Sequence, residues 1–144
     1  MTGDAVLPDT PSIRQHTVLV VDDEEMLRLV VCRELREAGF VVLEAGNGSE
    51  ALRLVQQDAE PIDVVVTDVM MPGMDGHELG RQLARHQPAL PVVYMSAYEL
   101  GDVFHRDAPN HAERFLRKPF PVRTLVATLR ELSARVEPPS PGST

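Results

Sequence analysis

The amino-acid sequence predicts an α/β fold in which five parallel strands form a doubly wound sheet with helices on both faces. Two observations favour it. Short apolar runs alternate five times with segments of helical periodicity, which is the order of a (βα)₅ chain. Three of these runs are nearly continuous in apolar residues, a pattern typical of strands covered on both faces. Because the connections are short, each helix is expected to pack back onto the sheet beside its strand.

Each predicted element rests on a local pattern. The predicted strands cover residues 17–21, 40–44, 62–67, 92–95 and 113–116. The first predicted helix covers 24–38, with Asp23 as its cap and Gly39 as its end. Its apolar positions follow the 3.6-residue period and are Leu27, Val30, Val31, Leu35 and Ala38.

Start signals also precede the later helices. Asn47 and Asp75 are each followed three residues later by a glutamate, Glu50 and Glu78, which is the spacing of a capping box. Pro121 is expected to open the last helix, because proline is favoured in the first helical turn. The apolar positions of this helix are Val122, Leu125, Val126, Leu129 and Leu132.

Three segments are predicted to be less ordered. Residues 1–16 are expected to form a flexible leader, and residues 137–144, rich in proline and serine, a disordered tail. These limits leave one domain over 17–136. The predicted helix over 98–107 contains Gly101, and glycine costs about 1 kcal/mol relative to alanine inside a helix. This helix is therefore expected to be short or mobile.

Composition narrows the classes of function. The net charge of −8 argues against direct binding to nucleic acid and against binding to an anionic membrane surface. The N-terminal residues lack the pattern of a signal peptide, and no apolar run approaches the ~20 residues of a membrane span. The single cysteine, Cys32, excludes an internal disulfide and fits a cytoplasmic location, and we expect it to be a core residue rather than a reactive thiol.

Polar residues follow four of the five predicted strands. Asp22 and Asp23 follow the first strand, Asp68 the third, Ser96 the fourth and Lys118 the fifth. In a doubly wound sheet the carboxyl ends of the strands lie at one edge, where ligands bind. The five side chains are therefore expected to converge on one site.

These residue types suit phosphoryl transfer. Three crowded carboxylates, Asp22, Asp23 and Asp68, repel one another, and a divalent cation relieves that repulsion. Oxygen ligands favour Mg²⁺, which also takes phosphate oxygens. Lys118 and Ser96 can hold further oxygens of a transferring phosphoryl group. Asp68 would then be a carboxylate nucleophile, and the product an aspartyl phosphate.

At this point the chain resembles a response-regulator receiver domain from about residue 17 to residue 136. Four segments carry the resemblance: 20–24 (VVDDE), 66–76 (VTDVMMPGMDG), 96–97 (SA) and 115–120 (FLRKPF). The resemblance implies a flavodoxin-like sheet with strand order 2-1-3-4-5. It also implies a module of two-component signalling that assists its own phosphorylation and dephosphorylation but is not an enzyme with a separate substrate.

The resemblance assigns roles to the site residues. Asp68 is implied to be the phosphoacceptor. Mg²⁺ is implied to be bound by Asp23, Asp68 and the backbone carbonyl of Met70, with help from Asp22. Lys118 is implied to contact the phosphoryl group.

The resemblance also implies a switch. Ser96 is the implied switch hydroxyl, and the peptide bond before Pro119 is expected to be cis. Phe115 stands where many family members have tyrosine, so its ring can change rotamer but cannot donate a hydrogen bond. Met70 and Tyr98 would flank the phosphoryl group, and because neither is a good water-activating base, we predict a long-lived phosphoryl group.

The family takes its phosphoryl group from a phosphohistidine on a sensor histidine kinase or a phosphotransfer protein. Phosphorylation is expected to change the face formed by the helix over 98–107, the fifth strand and the last helix, through which a homodimer could form. The output partner and the cognate kinase are open. Alternative hypotheses are an excised C-terminal receiver of a hybrid sensor kinase and a pseudo-receiver that only binds partners. An aspartyl-nucleophile phosphatase is disfavoured, because its general acid would fall at Met70.

Overall fold

The predicted five-stranded parallel sheet is confirmed by the computed structural model, which describes residues 16–57, 61–96 and 113–136. The strands are β1 (Thr17–Val21), β2 (Val41–Ala45), β3 (Val64–Asp68), β4 (Val92–Ser96) and β5 (Glu113–Arg117). All pair in parallel, in the order β2-β1-β3-β4-β5. The carboxyl ends of the strands therefore lie at the same edge.

Helices of the described residues pack on both faces of the sheet. They are α1 (Glu25–Glu37), α2 (Gly48–Gln57), α3 (Gly76–His86) and α4 (Val122–Val136). Alternate residues of β1 enter two different hydrophobic clusters: Val18 packs with residues of α1 and α4, and Leu19 with residues of α2 and α3. Because successive side chains of a strand point to opposite faces, both sides of the sheet acquire an aliphatic core.

Burial follows the position of each strand in the sheet. Every residue of β1, β3 and β4 is buried, which agrees with the apolar runs that predicted them. β5, at one edge of the described sheet, is only partly buried. The central strands thus form a rigid base for the residues that follow them.

Two of the predicted helix caps are present. The Asn47 side chain accepts a hydrogen bond from the backbone N–H of Glu50, and that of Asp75 from Glu78, each at 2.8 Å. The prediction that Asp23 caps α1 is wrong. Glu24 is the capping residue of α1 and makes no side-chain cap, and its backbone N–H donates to Asp22 Oδ1 at 3.0 Å.

The apolar stripe predicted for α1 is only partly correct. Leu35 is fully buried, and Val31 and Ala38 pack against the core. Leu27 and Val30, by contrast, are 45% and 53% exposed. The large apolar side chains exposed on α1 are Met26, Leu27, Leu29 and Val30, and this set is called the α1 apolar face below.

The last helix packs as its periodicity predicts. Leu125, Leu129 and Leu132 are fully buried, and the helix begins one residue after Pro121. Cys32 is also fully buried, and burial is the main cause that raises the pKa of its thiol to about 11. Cys32 is therefore a protonated core residue, as its apolar surroundings predicted.

Several predictions concern other parts of the chain. The proposed leader up to residue 15, the helix over 98–107 with Tyr98, and the tail over 137–144 lie outside the described residues. Within the described ranges, no helix combines the length and apolar character that a membrane crossing requires.

Candidate functional site

Three carboxylates meet at the carboxyl edge of the two central strands. Oxygen atoms of Asp22, Asp23 and Asp68 all lie within 4.8 Å of one another. β1 and β3 are paired with Val21 opposite Thr67, so the residues that follow them, Asp22 and Asp68, reach the same level. Asp22 and Asp68 are buried, whereas Asp23 is exposed. The cluster is therefore open to solvent on one side.

Asp22 is held by hydrogen bonds on both sides of its α-carbon. Its backbone N–H donates to the carbonyl of Ala45 at 3.1 Å, and its own carbonyl accepts from Arg28 Nη1 at 2.7 Å. Its side chain accepts the N–H of Glu24. Sequence reasoning assigned no role to Arg28, which was indistinguishable from the other arginines of the helices.

Lys118 brings a positive charge to the cluster. Its Nζ lies 3.4 Å from Asp68 Oδ1, and its backbone N–H donates to the carbonyl of Ser96 at 2.7 Å. The peptide bond between Lys118 and Pro119 is cis. The end of β5 is thereby joined to the end of β4, and the ammonium faces the carboxylate of the central strand.

The charges at the site do not balance. Burial is the main cause that raises the pKa of Asp68, and the negative charge of Asp22 acts in the same direction, while Lys118 lowers it. Three carboxylates face one ammonium, so the site can accept further positive charge. Clustered carboxylate oxygens are ligands that suit a hard cation such as Mg²⁺.

The loop after Asp68 packs closely against the start of α3. The N–H of Gly76 donates to the carbonyl of Val69 at 2.9 Å, and a Cβ on Gly76 would collide with the backbone oxygen of Asp68. In the sequence, the Asp75-Gly76 pair is a helix start signal and part of the 66–76 segment, and neither feature predicted this close packing. Met70, in the same loop, is 62% exposed.

The two proposed switch residues lie on neighbouring strands. Ser96 is buried at the end of β4, beside Arg117 in register. Phe115 does not join the acidic cluster; its ring stacks on Tyr94, with centroids 5.2 Å apart and an interplanar angle of 16°. The hydroxyl of Tyr94 donates to Glu113 Oε2 at 3.1 Å. Sequence reasoning overlooked Tyr94, although its place two residues before Ser96 on the same face could have revealed it.

Comparison with known proteins agrees with this geometry. The family model for the response regulator receiver domain matches residues 18–130. The chain belongs to this family. A receiver domain is a module of two-component systems, and phosphorylation and Mg²⁺ binding at an acidic pocket are typical of the family.

Named relatives of this receiver domain differ in their total size. It is 39% identical over 117 residues to the sensor kinase CckA of Brucella abortus (strain 2308). The match covers 81% of this chain and 12% of the kinase. It is 35% identical over 119 residues to the probable transcriptional regulatory protein TcrX of Mycobacterium tuberculosis, covering 83% of this chain and 50% of the regulator. The chain thus spans half or less of these two relatives.

Solved receiver structures have the same fold. The receiver domain of the hybrid histidine kinase CckA is 34% identical, with a TM-score of 0.69, and the match covers 81% of this chain and 98% of that one. The chemotaxis protein CheY4 of Vibrio cholerae is 30% identical, with a TM-score of 0.75, covering 83% and 99%. The flavodoxin-like strand order predicted from the sequence is therefore shared with these structures.

Proposed function

We propose that this receiver domain is a phosphorylation switch in which Asp68 is the phosphoacceptor. The observation that carries the proposal is the convergence of Asp22, Asp23 and Asp68 within 4.8 Å, with the Lys118 ammonium 3.4 Å from Asp68. A nucleophilic carboxylate, a cation site and a fixed ammonium are the groups that a transferring phosphoryl group requires. We also propose that the domain extends over 17–136.

The donor set fits Mg²⁺. Asp22, Asp23 and Asp68, with the main-chain carbonyl of Met70, would hold the ion. When bound, Mg²⁺ would supply positive charge beside the phosphoryl oxygens. The cluster offers oxygen ligands only, and the exposure of Asp23 leaves a side through which water and phosphate oxygens can enter.

The chemical step begins at the carboxylate of Asp68. One of its oxygens attacks the phosphorus of a phosphohistidine, an O–P bond forms and the P–N bond breaks. The imidazole nitrogen keeps the electron pair of the broken bond and the ring, protonated at its other nitrogen, leaves neutral. Lys118 holds an oxygen of the group in transfer, and Ser96 donates its hydroxyl to another.

The phosphoryl group is read out through β4 and β5. Ser96 moves toward the phosphoryl group, and Phe115 follows into the space that this opens. The face formed by β5 and α4 then changes its affinity for a protein partner or for a second copy of the chain. Because Phe115 has no hydroxyl, its coupling to Ser96 depends on packing rather than on a hydrogen bond.

The phosphodonor is proposed to be a sensor histidine kinase or a phosphotransfer protein. The α1 apolar face supports a protein donor, because large side chains stay exposed on the helix that begins two residues after Asp23. Val30→Ser should slow transfer from such a donor but leave phosphorylation by acetyl phosphate unchanged. Equal slowing with both donors would contradict a docking role for this face.

Phosphorylation itself is tested with acetyl phosphate and Mg²⁺ on a phosphate-mobility gel. The parent protein should show a shifted band that Asp68→Asn lacks. Asp75→Asn is a matched control, because asparagine also caps a helix and Asp75 lies outside the cluster. If parent and Asp68→Asn migrate identically, the phosphorylation switch is excluded and a pseudo-receiver is favoured.

The lifetime of the phosphoryl group is a separate proposal. Met70 supplies no water-activating base, and Tyr98 is bulky, so hydrolysis should be slow. The measurement is the decay of the shifted band after removal of acetyl phosphate. Loss of the band within seconds would contradict the proposal.

A second candidate is the receiver of a hybrid sensor kinase. The 39% identity to a sensor kinase supports it. Both candidates use the same site, and they differ in whether the phosphodonor is part of the same protein. A pull-down with the phosphorylated chain, followed by identification of the bound protein, would separate them.

A further inference from the structure

We propose that Arg28 is a positioning residue for the proposed cation site. Its guanidinium joins the carbonyl of Asp22 to the side chain of Glu44 and so fixes the peptide bond between Asp22 and Asp23. The inference rests on the proposed function, since it concerns the same Mg²⁺ site. Neither the resemblance nor the acidic cluster itself assigns a role to this arginine.

The guanidinium of Arg28 uses two different nitrogens. Nη1 donates to the carbonyl of Asp22 at 2.7 Å, and Nε donates to Glu44 Oε1 at 3.1 Å. The carbonyl of Asp22 belongs to the peptide that links Asp22 to Asp23. Fixing the plane of this peptide therefore restricts the directions in which both carboxylates leave the backbone.

Glu44 fixes the guanidinium from the neighbouring strand. It lies on β2 opposite Val20 of β1, and its second oxygen is 3.5 Å from Arg36 Nη2. The side chain of Arg28 is 16% exposed and that of Glu44 is 27% exposed, so solvent screens the pair only in part. Glu44 on β2 and Arg28 on α1 thus connect the sheet to the backbone at Asp22.

The position of Arg28 also explains why α1 does not bury the predicted stripe. Arg28, with 16% of its side chain exposed, lies on the side of α1 that faces the β2 edge, next to Gly46, where a Cβ would lie 3.4 Å from Nη1. Leu27 and Val30, which flank it along the helix, remain exposed. A polar contact with the loop therefore takes the place of apolar packing near the start of the helix.

Positioning and electrostatics predict opposite results when the charge is removed. If Arg28 acted only as a nearby positive charge, it would repel Mg²⁺, and its removal would tighten binding. If it orients the carboxylates, its removal weakens binding. Groups that orient metal ligands typically contribute 10–100-fold to metal affinity.

The test measures the Mg²⁺ dissociation constant of the full chain by NMR, from amide shifts, because the protein has no tryptophan to report binding. Arg28→Gln should weaken binding about tenfold. Arg28→Lys keeps the charge but not the two-nitrogen contact, so it should also weaken binding. Arg33→Gln, which loses the same charge on the same helix but whose exposed side chain pairs with Glu37 rather than with Glu44, should stay near the parent value.

Unchanged or tighter binding by Arg28→Gln would overturn the inference, as would equal weakening by Arg33→Gln. If Arg28→Gln does not fold, Arg28→Lys alone decides, and parent-like affinity in that variant would overturn the inference. Failure of the parent to bind millimolar Mg²⁺ would instead remove the proposed function itself. The two failures are therefore distinguishable.

Discussion

The burial of the Asp68 carboxylate lowers the stability of the folded protein. Burial removes the carboxylate from water and the nearby charge of Asp22 repels it, while the contact with Lys118 and a backbone hydrogen bond from Val69 only partly offset these effects. Without a cation, the ionised carboxylate is therefore less favourable in the folded protein than in the unfolded chain. The ionised Asp68 therefore lowers the stability of the cation-free fold.

Asp68→Asn should consequently stabilise the Mg²⁺-free protein at neutral pH. Removal of one buried negative charge is expected to contribute about 1 kcal/mol, or roughly 3–5 °C in Tm for a domain of this size. Thermal unfolding in the presence of a chelator measures it. Asp75→Asn should leave Tm unchanged, and a lower Tm for Asp68→Asn would contradict the expectation.

Glu113, outside the acidic cluster, is a second carboxylate whose ionisation makes the stability of the fold depend on pH. Burial is the main cause that raises its pKa, while the hydrogen bond from Tyr94 and the charge of His77 lower it. Because the folded pKa lies above the unfolded one, ionisation costs stability above the folded pKa, and the cost disappears as the pH falls below the unfolded pKa.

Glu113→Gln should therefore raise Tm slightly at about pH 7, where the carboxylate is ionised, and the gain should vanish near pH 4. Glutamine can still accept the hydrogen bond from Tyr94, so the contact itself is kept. Unfolding curves of both proteins across this pH range provide the measurement. A gain that persists at low pH would show that charge is not the cause.

At the scale of elements, α3 can pack closely against β4 because Gly80 has no side chain at the point of contact. A Cβ on Gly80 of α3 would collide with the hydroxyl of Tyr94, which is buried and bonded to Glu113. Gly80 therefore allows the Tyr94 ring to lie flat against Phe115. The helix gives up some intrinsic stability for this close approach.

Gly80→Ala reverses the usual effect of such a substitution. Alanine normally stabilises a helix interior by up to about 1 kcal/mol, but here we expect a loss of about 1–3 kcal/mol from overpacking. Urea unfolding measures the difference. Adding Tyr94→Phe should recover part of the loss, because the colliding hydroxyl is removed. Equal or greater stability for Gly80→Ala alone would contradict this packing.

The elements also show why some features were predictable from the sequence. The buried strands have nearly continuous apolar runs, and capping residues such as Asn47 act within one turn, so both leave local signals. The contacts of Arg28 depend on Glu44, which is 16 residues away along the chain. The acidic residues were predictable because strand ends share an edge, whereas the stacking of Tyr94 on Phe115 depends on the register between two strands.

At the scale of the whole molecule, the proposed cation site is expected to couple to folding. Its carboxylates lie at the ends of β1 and β3, which pair with each other and contribute to both cores. An ion that binds only when these strand ends are adjacent binds the folded state alone. It must therefore stabilise the entire domain.

Mg²⁺ at ten times its dissociation constant should raise the free energy of unfolding by about 1.4 kcal/mol, which corresponds to roughly 3–6 °C in Tm. A thermal scan with and without millimolar Mg²⁺ measures this gain. Asp68→Asn should show a much smaller increase, because a ligand is lost. A parent Tm that does not change with Mg²⁺ would argue against the cation site.

The two outer strands of the sheet differ in burial. The strands on either side of Asp68, β1 and β4, are both buried along their whole length, but beyond them β2 buries two of its five residues and β5 none. Lys118 follows β5, and its Nζ lies 3.4 Å from Asp68 Oδ1. A change of charge at Asp68 is therefore expected to act first on the less buried of the two edge strands.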